Sequence, residues 1–131
     1  MDMKLELVHV PVNDVDRSKT FYTEQLGFVL DVDVAPVPGM RVVQLTPPGS
    51  ACSIVLGTGM GPISAMAPGT VKGLHLVVAD LDAARAELVA RGVDVGEVSD
   101  VGGGVRYAFL ADPDGNTWAL QEMAWRTGDA F

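Results

Sequence analysis

The chain has 131 residues, 48% of them apolar, with a single cysteine and a formal net charge of −8. That is one compact domain's worth of chain, long enough to bury roughly two-thirds of its unfolded surface without covalent staples. The acidic balance argues against nucleic acid as a partner and favours a cationic over an anionic small molecule, a lone Cys52 excludes an intrachain disulfide and suits a reducing cytoplasm, and neither a membrane-spanning apolar run nor a secretory leader is expected.

In chain order, alternating β-rich residues predict a strand over 5–12. Asn13-Asp14 then reads as a helix start, and Val15, Phe21, Tyr22 and Leu26 recur at helical spacing until Gly27. Strands are predicted over 28–34, 41–46 and 52–56, the last two joined by the turn Pro47-Pro48-Gly49-Ser50. Residues 58–72 carry glycine and proline breaks with no periodicity and read as a linker. The order then repeats: a strand over 74–79, a helix over 81–91 opened by Asp80 and closed by Gly92, strands over 93–98, 105–111 and 117–123, and a short tail over 124–131.

The two halves also match residue by residue. His9 falls on His75, Asp14 on Asp80, Asp16 on Asp82, and Pro47–Ser50 on Pro113–Asn116, all at a constant spacing of 66 residues. A supersecondary unit used twice is the direct reading: βαβββ over 5–57 and again over 73–123. The predicted class is α+β, with two such modules forming a cupped mixed sheet around a central cavity, all within a single domain over 1–131.

Alternation divides each strand between two faces. Val8, Val10, Val12, Leu74, Leu76, Val78, Trp118, Leu120, Cys52, Ile54 and Leu56 suit packing beneath the helices. The opposite faces mix small residues with a few polar ones: His9, Ser53, Gly73, His75, Ala119 and Gln121. Space with a few convergent polar groups is how a ligand cavity looks. Tyr107, Phe109 and Gln44 are further candidates for its lining, although alternation alone does not fix their face. Asp14 and Asp80 read as helix caps, Asp112-Pro113-Asp114-Gly115 as a hairpin turn, Trp118 as core, Cys52 as a buried thiol, and Gly102-Gly103-Gly104 as a hairpin loop or a lid.

The openings LVHVPVNDVDRSKTFYTEQLGF and GLHLVVADLDAARAELVARG, with the closing FLADPDGNTWALQE, resemble the vicinal oxygen chelate superfamily, which includes glyoxalase I, bleomycin-resistance proteins, fosfomycin-resistance enzymes and extradiol dioxygenases. The resemblance implies paired βαβββ modules, a homodimer in which modules are sometimes exchanged between chains, and a metal held by one ligand from the first and one from the last strand of each module. Carried over by position, those four places hold Leu7, Ser53, Gly73 and Ala119, none of them a good metal ligand. A displaced set, His9, His75 and Glu122, has suitable chemistry for Zn²⁺, Mn²⁺, Fe²⁺ or Ni²⁺, but alternation turns Glu122 off the cup face and puts Gln121 in its place.

Three functions follow. The first is a metal-free protein that binds a small aromatic or cationic molecule and protects by sequestering it, with no cofactor. The second is a metal-independent enzyme using His9 and His75 as an acid–base pair. The third is a metal-dependent lyase, isomerase or dioxygenase built on the displaced ligands.

Overall fold

A computed structural model describes residues 1–131. The first module runs β1 (Leu7–His9), α1 (Val15–Thr20), β2 (Val29–Val34), β3 (Arg41–Thr46) and β4 (Ser53–Thr58); the second runs β5 (Leu74–Val77), α2 (Leu81–Ala90), β6 (Ser99–Gly102), β7 (Val105–Ala111) and β8 (Thr117–Met123). Each forms a four-stranded mixed sheet, ordered β1-β4-β3-β2 and β5-β8-β7-β6. The helix crossover brings the first strand of each module back parallel to its fourth, and the remaining pairs are antiparallel hairpins. The α+β class and the doubled βαβββ order are those read from the sequence.

Both predicted caps are present. The Asp14 carboxylate accepts from the Arg17 N–H at 3.1 Å and Asp80 from the Ala83 N–H at 3.0 Å, each from an extended backbone that then turns into the helix. Such a cap contributes about 1 kcal/mol. After Thr20 the first helix widens into a π-helical stretch, Phe21–Gln25, which buries Phe21 and Tyr22 side by side. The predicted linker includes a 3₁₀ turn, Gly61–Ala65, and then binds back to the domain: the Gly69 N–H reaches the Pro11 carbonyl at 3.2 Å.

The strand expected over 93–98 does not form. Its alternating apolar residues, Val93 and Val95, are buried in the core, but the carbonyls of Val95 and Gly96 accept from the Arg85 guanidinium at 3.2 and 2.8 Å rather than from a neighbouring strand. The ladder starts later, at Ser99. Cys52 is half-buried rather than enclosed.

One core of 18 residues joins the helix sides of both sheets: Val10, Val43, Leu45, Ile54 and Leu56 from the first, Ala108, Leu110, Trp118 and Leu120 from the second, with Tyr22, Leu26, Phe28, Leu81 and Leu88 between them. Tyr22 and Phe28 of the first module lie edge-on to Trp118 of the second, at ring separations of 5.8 and 5.6 Å. The modules therefore meet through their helix sides, and the opposite faces of the two sheets are the open faces. Within one chain the two open faces approach each other at a groove between the sheets, where Ser53 and His75 share a rim.

The DPDGN turn does more than reverse the chain. Asp112 and Asn116 are buried, and Asp112 accepts from the Tyr22 hydroxyl at 2.8 Å and from Asn116 Nδ2 at 2.8 Å. Asn116 Nδ2 also donates to the Pro11 carbonyl at 2.9 Å, and its Oδ1 accepts from the Val71 N–H. Trp118 Nε1 donates to the Tyr22 oxygen at 3.0 Å, and Arg17 pairs with Asp114 at 3.2 Å. This cluster fastens the second module to the first.

Candidate functional site

Register settles the faces that alternation left open. Val43 and Leu45 enter the core, so Gln44 lies on the open face of the first sheet, in a row with Val55 and His9. One row along, Ser53 is buried beside Thr46, their hydroxyl oxygens 2.6 Å apart, and Thr46 donates to Asp31. In the second sheet Ala108 and Leu110 are core, so Tyr107 and Phe109 stand on the open face: Phe109 is in a row with Ala119 and His75, and Tyr107 with Gln121 and Val77.

The open face of the second sheet is an aromatic ridge. The Tyr107 and Phe109 rings stack at 6.0 Å with 21° between planes, and the His75 ring meets Tyr107 edge-on at 5.6 Å. Gln121 Nε2 donates to the Tyr107 hydroxyl at 3.1 Å, which holds the ring upright. Buried Ala119 leaves a floor between His75 and Phe109, and Phe109 is 54% exposed. A stacked pair of rings, Phe109 exposed and Tyr107 half-buried, fits a surface that something flat covers.

The two histidines lie on the open faces of different sheets and do not hold equivalent rows. His9 lies opposite Val55, whereas His75 lies opposite Ala119, the counterpart of Ser53 in the repeat. Strand β5 sits two residues nearer the start of its partner than β1 does, so the symmetric pairing suggested by the sequence spacing is not kept. Burial lowers the pKa of His9, which favours its neutral form. His75 Nδ1 lies 2.6 Å from the Gly73 carbonyl, which can only accept, so Nδ1 carries the proton and Nε2 of the neutral ring is left as an acceptor.

The residues present do not suit the metal that the fold family implies. The four positions implied by the resemblance hold Leu7, Ser53, Gly73 and Ala119, and although the register sets His75 rather than Gly73 beside Ala119, as Leu7 is beside Ser53, that leaves a single imidazole among side chains that bind metal poorly. Glu122 points to the helix side, accepting from the Leu81 N–H at 3.0 Å at the start of α2 and lying 3.8 Å from Arg106. The set His9, His75 and Glu122 is not brought together, and no chemistry is assigned through it.

Gln44, Tyr107, Phe109, Gln121 and His9 line none of the three grooves in the chain. A 210 Å³ groove between the sheets does bring Ser53 and His75 to one rim, above Val8, Ile54, Leu74 and Trp118.

The family model described as the Glyoxalase/Bleomycin resistance protein/Dioxygenase superfamily matches residues 4–120. The chain belongs to that superfamily. Among solved structures, the superfamily member is similar to TnmS3, an antibiotic binding protein from Streptomyces sp. CB03234, at 37% identity over 93% of this chain and 97% of that one, with a TM-score of 0.80. It is also similar to a glyoxalase/bleomycin resistance protein from the same organism, at 38% identity over 89% and 98% with a TM-score of 0.75, and to a superfamily member from Sphaerobacter thermophilus DSM 20745, at 30% identity over 92% and 98% with a TM-score of 0.80. No curated protein matches.

Sequence reasoning missed two residues on the open faces. Thr46 was within reach, since it alternates with Gln44. Asp31 was not, because a register slip between Leu30 and Val32 decides where it stands.

Proposed function

We propose that the chain binds a small planar aromatic molecule and holds it without turnover or metal, as a sequestering protein of the bleomycin-resistance kind. The observation that carries this is the stack of half-buried Tyr107 on exposed Phe109 beside His75 and Gln121. The likeness to an antibiotic binding protein supports it. One open face gives a ligand one wall, so the site is completed by a second copy: the first module of one chain, with His9, Gln44 and Ser53, faces the second module of the other. The lone cysteine suits a reducing cytoplasm as its place of work.

The test is a fluorescence titration with planar aromatic compounds, run on the wild type and on Tyr107→Ala. Stacking on an aromatic platform is worth about 1–3 kcal/mol per ring, so the variant should bind about ten-fold or more weakly, with its unfolding midpoint little changed. Absence of binding by the wild type, or equal binding by both proteins, would refute the reading.

A second reading draws on the His75 tautomer. A free Nε2 on one face and a neutral His9 on the other are the state needed for general-base work in a metal-independent enzyme. Consumption of a bound ligand, lost in His75→Ala, would favour it over sequestration.

A further inference from the structure

We propose that the first module's open face selects ligands that carry a protonated amine, through the carboxylate of Asp31. This deepens the binding reading above and rests on it. Strand β2 slips register between Leu30 and Val32, and the slip leaves Asp31 opposite no residue of β3. A bulge of this kind re-aims a side chain. Here the Asp31 carboxylate accepts a hydrogen bond from the Thr46 hydroxyl, and the Thr46 oxygen is then free to accept from Ser53, 2.6 Å away. Ser53 is 5% exposed. Two hydroxyl dipoles thus run outward from the floor of the face and end on one carboxylate, which fixes it without neutralising it.

Asp31 has no cationic partner. All eight ion pairs of the chain leave it out, while Asp33, two residues on, is held by both Lys19 and Arg41. The contrast follows from the faces. Arg41 and Arg106 are the only lysine or arginine residues in the eight strands, and both are turned to the helix sides, where they meet Asp16, Asp33, Asp82 and Glu122. The open faces therefore carry a carboxylate and no lysine or arginine in their strands. A carboxylate on an edge strand also discourages strand pairing, but that role needs no relay from a buried serine. In a cup closed by a second copy, the aromatic ridge would stack a planar ring and Asp31 would meet an ammonium borne by the same molecule. A net charge of −8 draws such a cation in.

The test uses an aminopropyl-substituted anthraquinone and its N-acetylated counterpart, titrated at neutral pH. The wild type should bind the amine about ten-fold tighter than the amide, the strength of a charge-assisted hydrogen bond at a partly exposed site. Asp31→Asn should remove that preference and leave the affinity for the amide unchanged, and Thr46→Val should weaken it. High salt should shrink the preference in the wild type only. Equal binding of the two probes by the wild type would overturn the charge selection and leave the aromatic reading in place. A wild type that binds neither probe would overturn both. Equal losses for both probes in Asp31→Asn would mark Asp31 as structural and overturn the proposal.

Discussion

Tyr22→Phe removes one oxygen from the centre of the joint between modules, and its cost can be worked from the bonds around it. The Tyr22 hydroxyl is fully buried, donates to Asp112 at 2.8 Å and accepts from Trp118 Nε1 at 3.0 Å. Without it the carboxylate keeps Asn116 Nδ2 and the N–H groups of Asp114 and Asn116. Its loss is thus one hydrogen bond to a charged group, worth about 1.5–3 kcal/mol, whereas the Trp118 N–H is left with no partner, at a cost of about 1–3 kcal/mol. Partial relaxation leaves a net loss of about 3 kcal/mol, which for a domain this size is about 10 °C in Tm. Urea unfolding followed by tryptophan fluorescence should show the midpoint fall with the slope unchanged. Burial and the nearby Asp112 charge raise the Tyr22 pKa above its ordinary value near 10. The stability tied to this phenol is therefore present below pH ~10 and lost as pH rises further, so the gap between wild type and variant should narrow there. A loss under about 0.5 kcal/mol, within the range of ordinary surface substitutions, or a gap constant with pH, would refute the reasoning.

Two further predictions concern the same scaffold. Hydrogen bonds from Arg41, then Lys19, hold the Asp33 carboxyl at about 2, against an ordinary 3.8. A carboxylate lowered in this way stabilises the fold above its unfolded pKa and ceases to as pH falls through the folded one, so Asp33→Asn should be less stable than wild type near neutrality and the difference should shrink below pH ~3.5, measured as urea midpoints across the acid limb. Gly69 has φ +78, and a Cβ there would lie 2.1 Å from the Asp114 carbonyl oxygen; Gly69→Ala should cost about 3 kcal/mol, and a loss under about 1 kcal/mol would show the linker to be free to move off the turn.

What was legible in the sequence was local or periodic. Asp14 and Asp80 precede their helices as caps do, and period-two alternation placed His9, Ser53, His75, Ala119 and Gln121 on one side of their strands and turned Glu122 to the other. What was not legible depends on distant pairing. The two-residue slip of β5 along β8 separates His75 from its sequence twin, and no local signal records it. The slip at Asp31 is of the same kind. Val93 and Val95 misled because alternation reports a buried side, and an arginine can satisfy carbonyls that a strand would otherwise bond. The packing of helix side on helix side was hidden for the same reason: an apolar face reads alike whether it covers its own helix or a second module. The DPDGN turn reads as a hairpin from its residue types, and its clasp on Tyr22 and Pro11 exists only once the modules have met.

The most direct test of a cup shared between two copies is complementation. One variant carries His9→Ala with Gln44→Ala, which spoils the first-module wall; the other carries Tyr107→Ala with Phe109→Ala, which spoils the second. Each alone should bind aromatic ligand poorly. Refolded together, half of the dimers are mixed, and each mixed dimer regains one intact cup, so about one quarter of the sites should recover wild-type affinity. No recovery from mixed dimers, with each parent variant folded, would contradict the account.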